Sequence, residues 1–246
     1  MSTTGFGIDI GGTGIKGALV DLDVGALAGE RVRIPTPQPA TVPAVLDTVI
    51  AVVEQAGWVG PVGCTFPGII RHGVVGSAAN VDHSWIGTDL AAELSNRLGH
   101  RATVLNDADA AGIAEMRFGA GRDKQGVVLI ATLGTGIGTA LFVDGTLVPN
   151  TEFGHVELDG YDAEKRAAAS IKENEGLSYK VWSKRLQRYF SHLELLLSPD
   201  LIIVGGGISK KSEKFLPRLE LQAPIVPAQL LNQSGIVGAA AVSAES

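Results

Sequence analysis

The 246-residue sequence predicts an α/β protein made of two related β-rich lobes, with mixed sheets and flanking helices. Three observations predict it. Two glycine hairpins, DIGGTGIKGALV (Asp9–Val20) and TLGTGIGTALF (Thr132–Phe142), repeat one design half a chain apart: strand, Gly-Thr-Gly, strand. Between and after them, short β-branched runs alternate with stretches of helical periodicity. The 45% hydrophobic content suffices for a buried core, and the 32 glycines fall in short clusters typical of tight turns rather than linkers.

After the first hairpin, Val42, Val45, Leu46, Val49, Ile50 and Val53 recur at helical spacing behind Thr41, a suitable N-cap. Pro61–Phe66 and Ala102–Asn106 read as short buried strands, and Gly87–Gly99 as the helix joining them. A helix opens at Asn106 or Asp107 and runs to about Phe118, and Gly126–Thr132 is the strand entering the second hairpin. Leu177, Val181, Leu186, Tyr189, Phe190, Leu193 and Leu197 mark a long amphipathic helix. It stops at Ser198-Pro199, because a residue before proline is disfavoured in the helical region. Leu201–Ser209 is a strand entering a glycine turn, and Ser234–Val242 a closing helix of small residues. The lobes are expected to divide into residues 1–106 completed by 234–246, and residues 107–233.

The net charge of -6 argues against a dedicated nucleic-acid binder. The charge is uneven, however: residues 165–218 carry 11 Lys+Arg against 5 Asp+Glu, which is either a solvated helical face or a track for a polyanion. No apolar run approaches the roughly 20 residues that span a bilayer. The opening MSTTGFGIDI has neither a basic start nor a cleavable apolar segment, so a cytoplasmic protein without membrane partners is expected. Cys64 is the only cysteine, which leaves oxygen and imidazole as metal ligands.

Gly12-Thr13-Gly14-Ile15-Lys16-Gly17 matches the dinucleotide fingerprint as a bare pattern, but a strand rather than a helix follows it. A glycine turn between strands has another use, since its backbone N–H groups can point together at phosphate oxygens. Thr13 and Thr135 add hydroxyls, Lys16 a positive charge, and Asp9 an anchor for Mg²⁺ or its waters. Two ordinary hairpins are the alternative; against it stands a third turn of the same scale, Gly205-Gly206-Gly207. Asp107 follows a buried strand and opens a helix, which suits a general base at the positive end of a helix dipole and equally suits a helix cap.

Asp9-Ile-Gly-Gly-Thr-Gly-Ile-Lys16, Asn106-Asp107, Leu133-Gly-Thr-Gly-Ile-Gly138, Glu152-Phe-Gly-His155 and Val204-Gly-Gly-Gly-Ile-Ser209 occur in the order seen in the ROK family of sugar kinases, which the sequence resembles. The resemblance covers essentially the whole chain. It implies two actin-like, RNase H-type lobes around a central cleft, usually as a homodimer. It implies that Gly11, Gly12, Thr13, Gly134, Thr135 and Gly136 cradle the phosphoryl donor, with Gly205, Gly206 and Gly207 at its far end. By the same resemblance Asp107 is the base, and Asn80, Asn106, Asp107, Glu152, His155 and Glu164 face the sugar. Trp85 either flanks that site or packs in the core.

Most ROK kinases follow Glu-x-Gly-His with a cysteine-rich zinc loop. Here no cysteine follows His155, and Glu164 comes after a short spacer, so no structural zinc is expected. Asp159-Gly160 reads as the turn replacing the loop, Glu157 and Asp162 as solvated carboxylates; a His155/Glu157/Asp162 metal site has no diagnostic spacing. The cysteine-free form resembles the family's polyphosphate-using glucokinase branch in Phe66–Val75, Ala78–Leu90, His155–Ala168 and Gly205–Pro217. That branch implies glucose as acceptor, and inorganic polyphosphate and also ATP as donors. Lys210, Lys211 and Lys214, with Lys180, Lys184, Arg185 and Arg188, are the basic residues suited to a phosphate chain. The rivals are an ATP-dependent ROK kinase for another hexose or amino sugar, and a repressor-like sugar-binding protein. ROK repressors carry a helix-turn-helix ahead of the first glycine turn, whereas Asp9 stands near the start here.

Overall fold

The first hairpin pairs β1 (Thr4–Gly11) with β2 (Gly14–Asp21), in antiparallel register from Thr4↔Asp21 to Gly11↔Gly14. Phe6, Ile8 and Ile10 alternate along β1 and are buried, the period-2 pattern of a strand with one face on a core. The structure, a computed structural model, describes residues 3–78 and 82–244. β3 (Ala26–Leu27) and β4 (Val32–Ile34) both pair with β2. Helix α1 (Val42–Gln55) then buries Val45, Leu46, Val49, Val52 and Val53. Thr41 occupies its N-cap position but makes no side-chain cap bond; the proline in the first turn, Pro43, fixes the entry instead.

β5 (Val62–Phe66) lies parallel to β1. A short hairpin of β6 (Ile70–Arg71) and β7 (Val74–Val75) follows, then α2 (Leu90–Leu98). That helix starts three residues later than its periodicity suggested, because Asp89 accepts from the Ala92 N–H and caps it there. β8 (Ala102–Asn106) lies parallel to β5, giving the strand order β3-β2-β1-β5-β8 with β4 also on β2.

Helix α3 (Asp107–Phe118) leads to the second hairpin, β9 (Val127–Leu133) antiparallel to β10 (Ile137–Val143), which also pairs with β11 (Thr146–Val148). A small hairpin of β12 (Glu157–Leu158) and β13 (Tyr161–Asp162) precedes the short helices α4 (Glu164–Ala167) and α5 (Ala169–Asn174). The long helix α6 (Tyr179–Leu197) buries Trp182, Leu186, Tyr189, Phe190 and Leu193, of which the leucines and Phe190 are each worth about 1.5–3 kcal/mol of burial. It ends where Ser198 turns left-handed (φ 44°) ahead of Pro199. β14 (Leu201–Gly205) and β15 (Ile225–Pro227) add parallel strands, so this sheet runs β11-β10-β9-β14-β15.

The internal repeat is therefore architectural. In both sheets a Gly-Thr-Gly hairpin is antiparallel, and the first strand of the hairpin takes a parallel neighbour on its other side. The chain forms two compact units, Met1–Ala114 with Gln233–Ser246 and Glu115–Asn232. The return segment is α7 (Ser234–Ala244), buried on all sides. Its small residues have a reason: a Cβ on Gly63 of β5 would stand 1.8 Å from the Ala239 carbonyl oxygen, and one on Gly238 equally close to that of Ala110. Among the described residues no helix is long and apolar enough to cross a membrane.

Candidate active site

β1, β5 and β8 are parallel, so Gly11, Phe66 and Asn106 end at one edge of the first sheet, the edge at which open α/β sheets bind ligands. Asp9 stands two residues before the turn. Its carboxylate accepts from Lys16 Nζ at 2.9 Å and from Thr65 Oγ1 at 3.0 Å. Lys16 thus directs its charge at Asp9 rather than at open solvent. The turn is braced from outside, where Thr36 Oγ1 donates to the Gly11 carbonyl and Arg33 Nη2 to that of Thr13 at 3.0 Å. A Cβ on Gly12 would meet no atom within 4 Å, so the turn's outer surface is open. One carboxylate with a donor already on each oxygen suits a hydrated Mg²⁺ held through its waters, the usual mode for that cation.

Asn106 is 7% exposed, and its oxygen accepts from the N–H groups of Ala108 (2.7 Å) and Asp109 (3.1 Å), which caps α3. Its amide donates to the Gly68 carbonyl at 3.1 Å. The cap therefore belongs to Asn106, and Asp107 is the first residue of α3, exposed at the helix's positive end, where an ionised carboxylate is favoured. Trp85 is fully buried against Phe66 (ring centroids 5.0 Å) and donates to the Ala40 carbonyl, so it is a core residue. Together with Gly11, Gly12, Thr36 and Pro39 it floors a recess of about 270 Å³ beside the turn. A larger recess of about 420 Å³, along β15 and Lys124, includes none of the site residues read from the sequence. Asn80 lies outside the described residues.

In the second unit, parallel β9 and β14 end together at Leu133 and Gly205, which sets the Gly134–Gly136 and Gly205–Gly207 turns side by side. Gly206 has φ 83°, and a Cβ there would fall 2.3 Å from the Leu133 carbonyl oxygen, so only glycine lets the two turns approach. Ser170 ties the middle turn from below, its N–H donating to the Gly134 carbonyl and its hydroxyl to that of Thr135.

Glu164 links this turn to His155. One carboxylate oxygen accepts the Ile137 N–H at 3.0 Å, and the other lies 3.8 Å from His155 Nδ1. Asp162 is not the solvated carboxylate expected: its Oδ2 sits 2.9 Å from His155 Nδ1, and its Oδ1 accepts the Glu164 N–H. The hydrogen bond to Asp162 raises the His155 pKa above its ordinary value, against a partial burial that lowers it, with Glu164 and Glu152 adding to the rise. Burial also raises the pKa of Glu152, offset in part by His155. The close cluster is His155, Asp162 and Glu164, within 4.8 Å of one another, while Glu157 is exposed on β12. Spacing alone hid this pairing, since the Asp159-Gly160 turn (φ 55° and 80°) is what folds Asp162 back onto His155.

The basic residues of 165–218 divide in two. Arg185 pairs with Glu175 at 2.7 Å, and Arg188 grips Asp159 through two bonds, so both are held by carboxylates. Lys210, Lys211 and Lys214 lie on the exposed 3-10 stretch after the third turn. Lys214 and Lys172 both approach the Tyr179 ring, at 5.7 and 4.4 Å from its centroid. Lys172 was not singled out from the sequence; only the fold brings it to the ring that Lys214 also approaches. Lys180 and Lys184 are exposed on α6.

Residues 5–170 match the sequence profile of the ROK family. The chain belongs to the ROK family. Among ROK proteins it is 54% identical over 240 residues to a polyphosphate glucokinase of Mycobacterium tuberculosis, covering 97% of this chain and 91% of that one. The crystal structure of an inorganic polyphosphate/ATP-glucomannokinase from Arthrobacter sp. strain KM superposes with a TM-score of 0.94 at 58% identity, covering 99% of both chains. A ROK family glucokinase from Streptomyces griseus, solved with glucose and AMPPNP, superposes with a TM-score of 0.84 at 25% identity, over 99% of this chain and all of that one. The actin-like ROK fold is thus the fold of this chain.

Proposed function

We propose that this chain is a glucokinase that transfers the terminal phosphoryl group of inorganic polyphosphate to the 6-hydroxyl of glucose, with ATP as a second donor. What carries this is its extended likeness to the polyphosphate glucokinase and the polyphosphate/ATP-glucomannokinase, at 54% and 58% identity over nearly the whole chain. The reaction breaks the terminal P–O–P bond, forms an O6–P bond, and releases the O6 proton. Asp107 takes that proton; a positioned base of this kind supplies roughly 10²–10⁴-fold in rate. The Asn106 cap holds the start of α3, and so Asp107, in place.

Glu152 and His155 face the sugar hydroxyls, with Asn80 and Asn106 as further partners. His155, its Nδ1 engaged by Asp162, presents Nε2 to the sugar, and Glu152 accepts. Glu164, bonded to the Ile137 N–H, keeps His155 in register with the Gly134–Gly136 turn. By its ROK resemblance, donor binding is assigned to the backbone N–H groups of Gly11–Thr13, to those of Gly134–Gly136, and to Gly205–Gly207, Lys210 and Lys211. Asp9 would hold a hydrated Mg²⁺, and the ion would supply neutralisation of the donor's charge. A cytoplasmic homodimer completes the proposal.

The test is a donor-by-sugar matrix of polyphosphate and ATP against glucose, mannose and N-acetylglucosamine. Mannose is included because the Arthrobacter neighbour is a glucomannokinase. Polyphosphate consumption that requires glucose supports the proposal; consumption only of ATP, or only with another sugar, overturns it.

A further inference from the structure

One row of side chains crosses four strands of the first sheet just below the glycine turn: Thr65 opposite Asp9, Asp9 opposite Lys16, Lys16 opposite Arg33. Directly opposed residues project from the same face of a sheet. Within the row the charges are matched as far as Lys16, whose ammonium is bonded to Asp9. Arg33 stands at the end, exposed, with no carboxylate partner among the described residues. Instead it bends over the turn. Its Nη2 donates to the Thr13 carbonyl at 3.0 Å, and its Nε and Nη2 lie 2.8 and 2.9 Å from where a Cβ on Gly14 would stand. Gly14 is thus the gap that lets a guanidinium rest against the turn.

We propose that Arg33 forms a subsite for a donor phosphate that is not transferred. The proposal rests on the donor-binding role of the first glycine turn. A guanidinium has five N–H donors in a fork matched to phosphate oxygens, and Arg33 uses one of them on Thr13. The remaining donors and the unmatched charge stay on the turn at Thr13 and Gly14, next in the chain to Gly12, whose surface is open. Lys16, the cation that the sequence pattern singles out, is already matched by Asp9. Arg33 therefore supplies the net positive charge at this turn, and its ligand is a phosphoanhydride chain, whether polyphosphate or nucleoside triphosphate.

The experiment compares wild type with R33Q, R33K, G14A and R101Q. Gly14→Ala keeps the charge but displaces the guanidinium, and Arg101 is an exposed arginine at the opposite end of the sheet's parallel strands. Steady-state kinetics at two salt concentrations give donor and glucose KM for polyphosphate and for ATP. Calorimetry with inorganic tripolyphosphate gives binding independent of turnover. R33Q is expected to raise donor KM and weaken tripolyphosphate binding on the order of tenfold or more, with glucose KM unchanged and a flatter salt dependence. G14A should reproduce much of this, R33K should restore part, and R101Q should resemble wild type. A rise confined to one donor assigns the subsite to that donor. Unchanged binding in R33Q and G14A, or an equal loss in R101Q, overturns the proposal. A wild type that phosphorylates no sugar overturns the proposed function instead, while the calorimetry still decides Arg33.

Discussion

Replacing Asn106 with alanine removes three hydrogen bonds from one buried side chain, two capping α3 and one to the Gly68 carbonyl. Loss of an N-cap costs about 1 kcal/mol. Loss of a neutral buried hydrogen bond costs about 1 kcal/mol more, since the two functions use opposite ends of the amide. The expected destabilisation is therefore about 2 kcal/mol, or roughly 4–8 °C in melting temperature for a chain of this length. Calorimetry without ligands reads that shift, and N106S, which keeps a capping oxygen but is too short to reach Gly68, should lose about half as much. Turnover should fall in N106A as well, because Asp107, the proposed base, follows the cap and loses its fixed position. If N106A melts within about 1 °C of wild type while glucose KM rises, Asn106 acts by touching sugar and the capping role is wrong.

Asp107→Asn should lower kcat by roughly 10²-fold or more while glucose still binds, measured by quench of tryptophan fluorescence; near-normal turnover contradicts a base at this position. For His155, the raised pKa means that its stabilising contribution is complete below its unfolded value of about 6.5 and is lost as pH rises through the folded value. D162N should therefore cost more stability at pH 6 than at pH 9, and an imidazole titration followed by NMR should move down; equal cost at both pH values contradicts the pairing. Gly206→Ala should severely destabilise the second unit, since its Cβ would meet the Leu133 backbone. Gly12→Ala, with open space around it, should fold normally and raise donor KM. Normal folding of G206A, or unchanged donor KM in G12A, contradicts the respective assignments.

The strands and long helices were legible because their signals are local. Alternation in β1, periodicity in α6 and the Ser198-Pro199 stop each follow from neighbouring residues. The repeated hairpin was legible for the same reason, and it predicted the shared sheet plan. Partnerships between distant residues were not. Asp162 looked solvated until the Asp159-Gly160 turn folded it onto His155, and Arg33 carries no motif that links it to Thr13, twenty residues earlier. Lys16 was recognised as a cation beside a turn, but its match with Asp9 depends on strand register. The basic run of 165–218 shows the same limit: composition located the charge, and only the ion pairs with Glu175 and Asp159 show that Arg185 and Arg188 are already engaged by carboxylates.

The most direct measurement is glucose 6-phosphate formation from glucose and inorganic polyphosphate, with no nucleotide present and Mg²⁺ supplied. One phosphoryl group lost from the polymer for each glucose 6-phosphate formed, and none lost without glucose, is the expected result. Polyphosphate that remains intact in the presence of glucose, or is hydrolysed equally without it, would contradict a polyphosphate glucokinase.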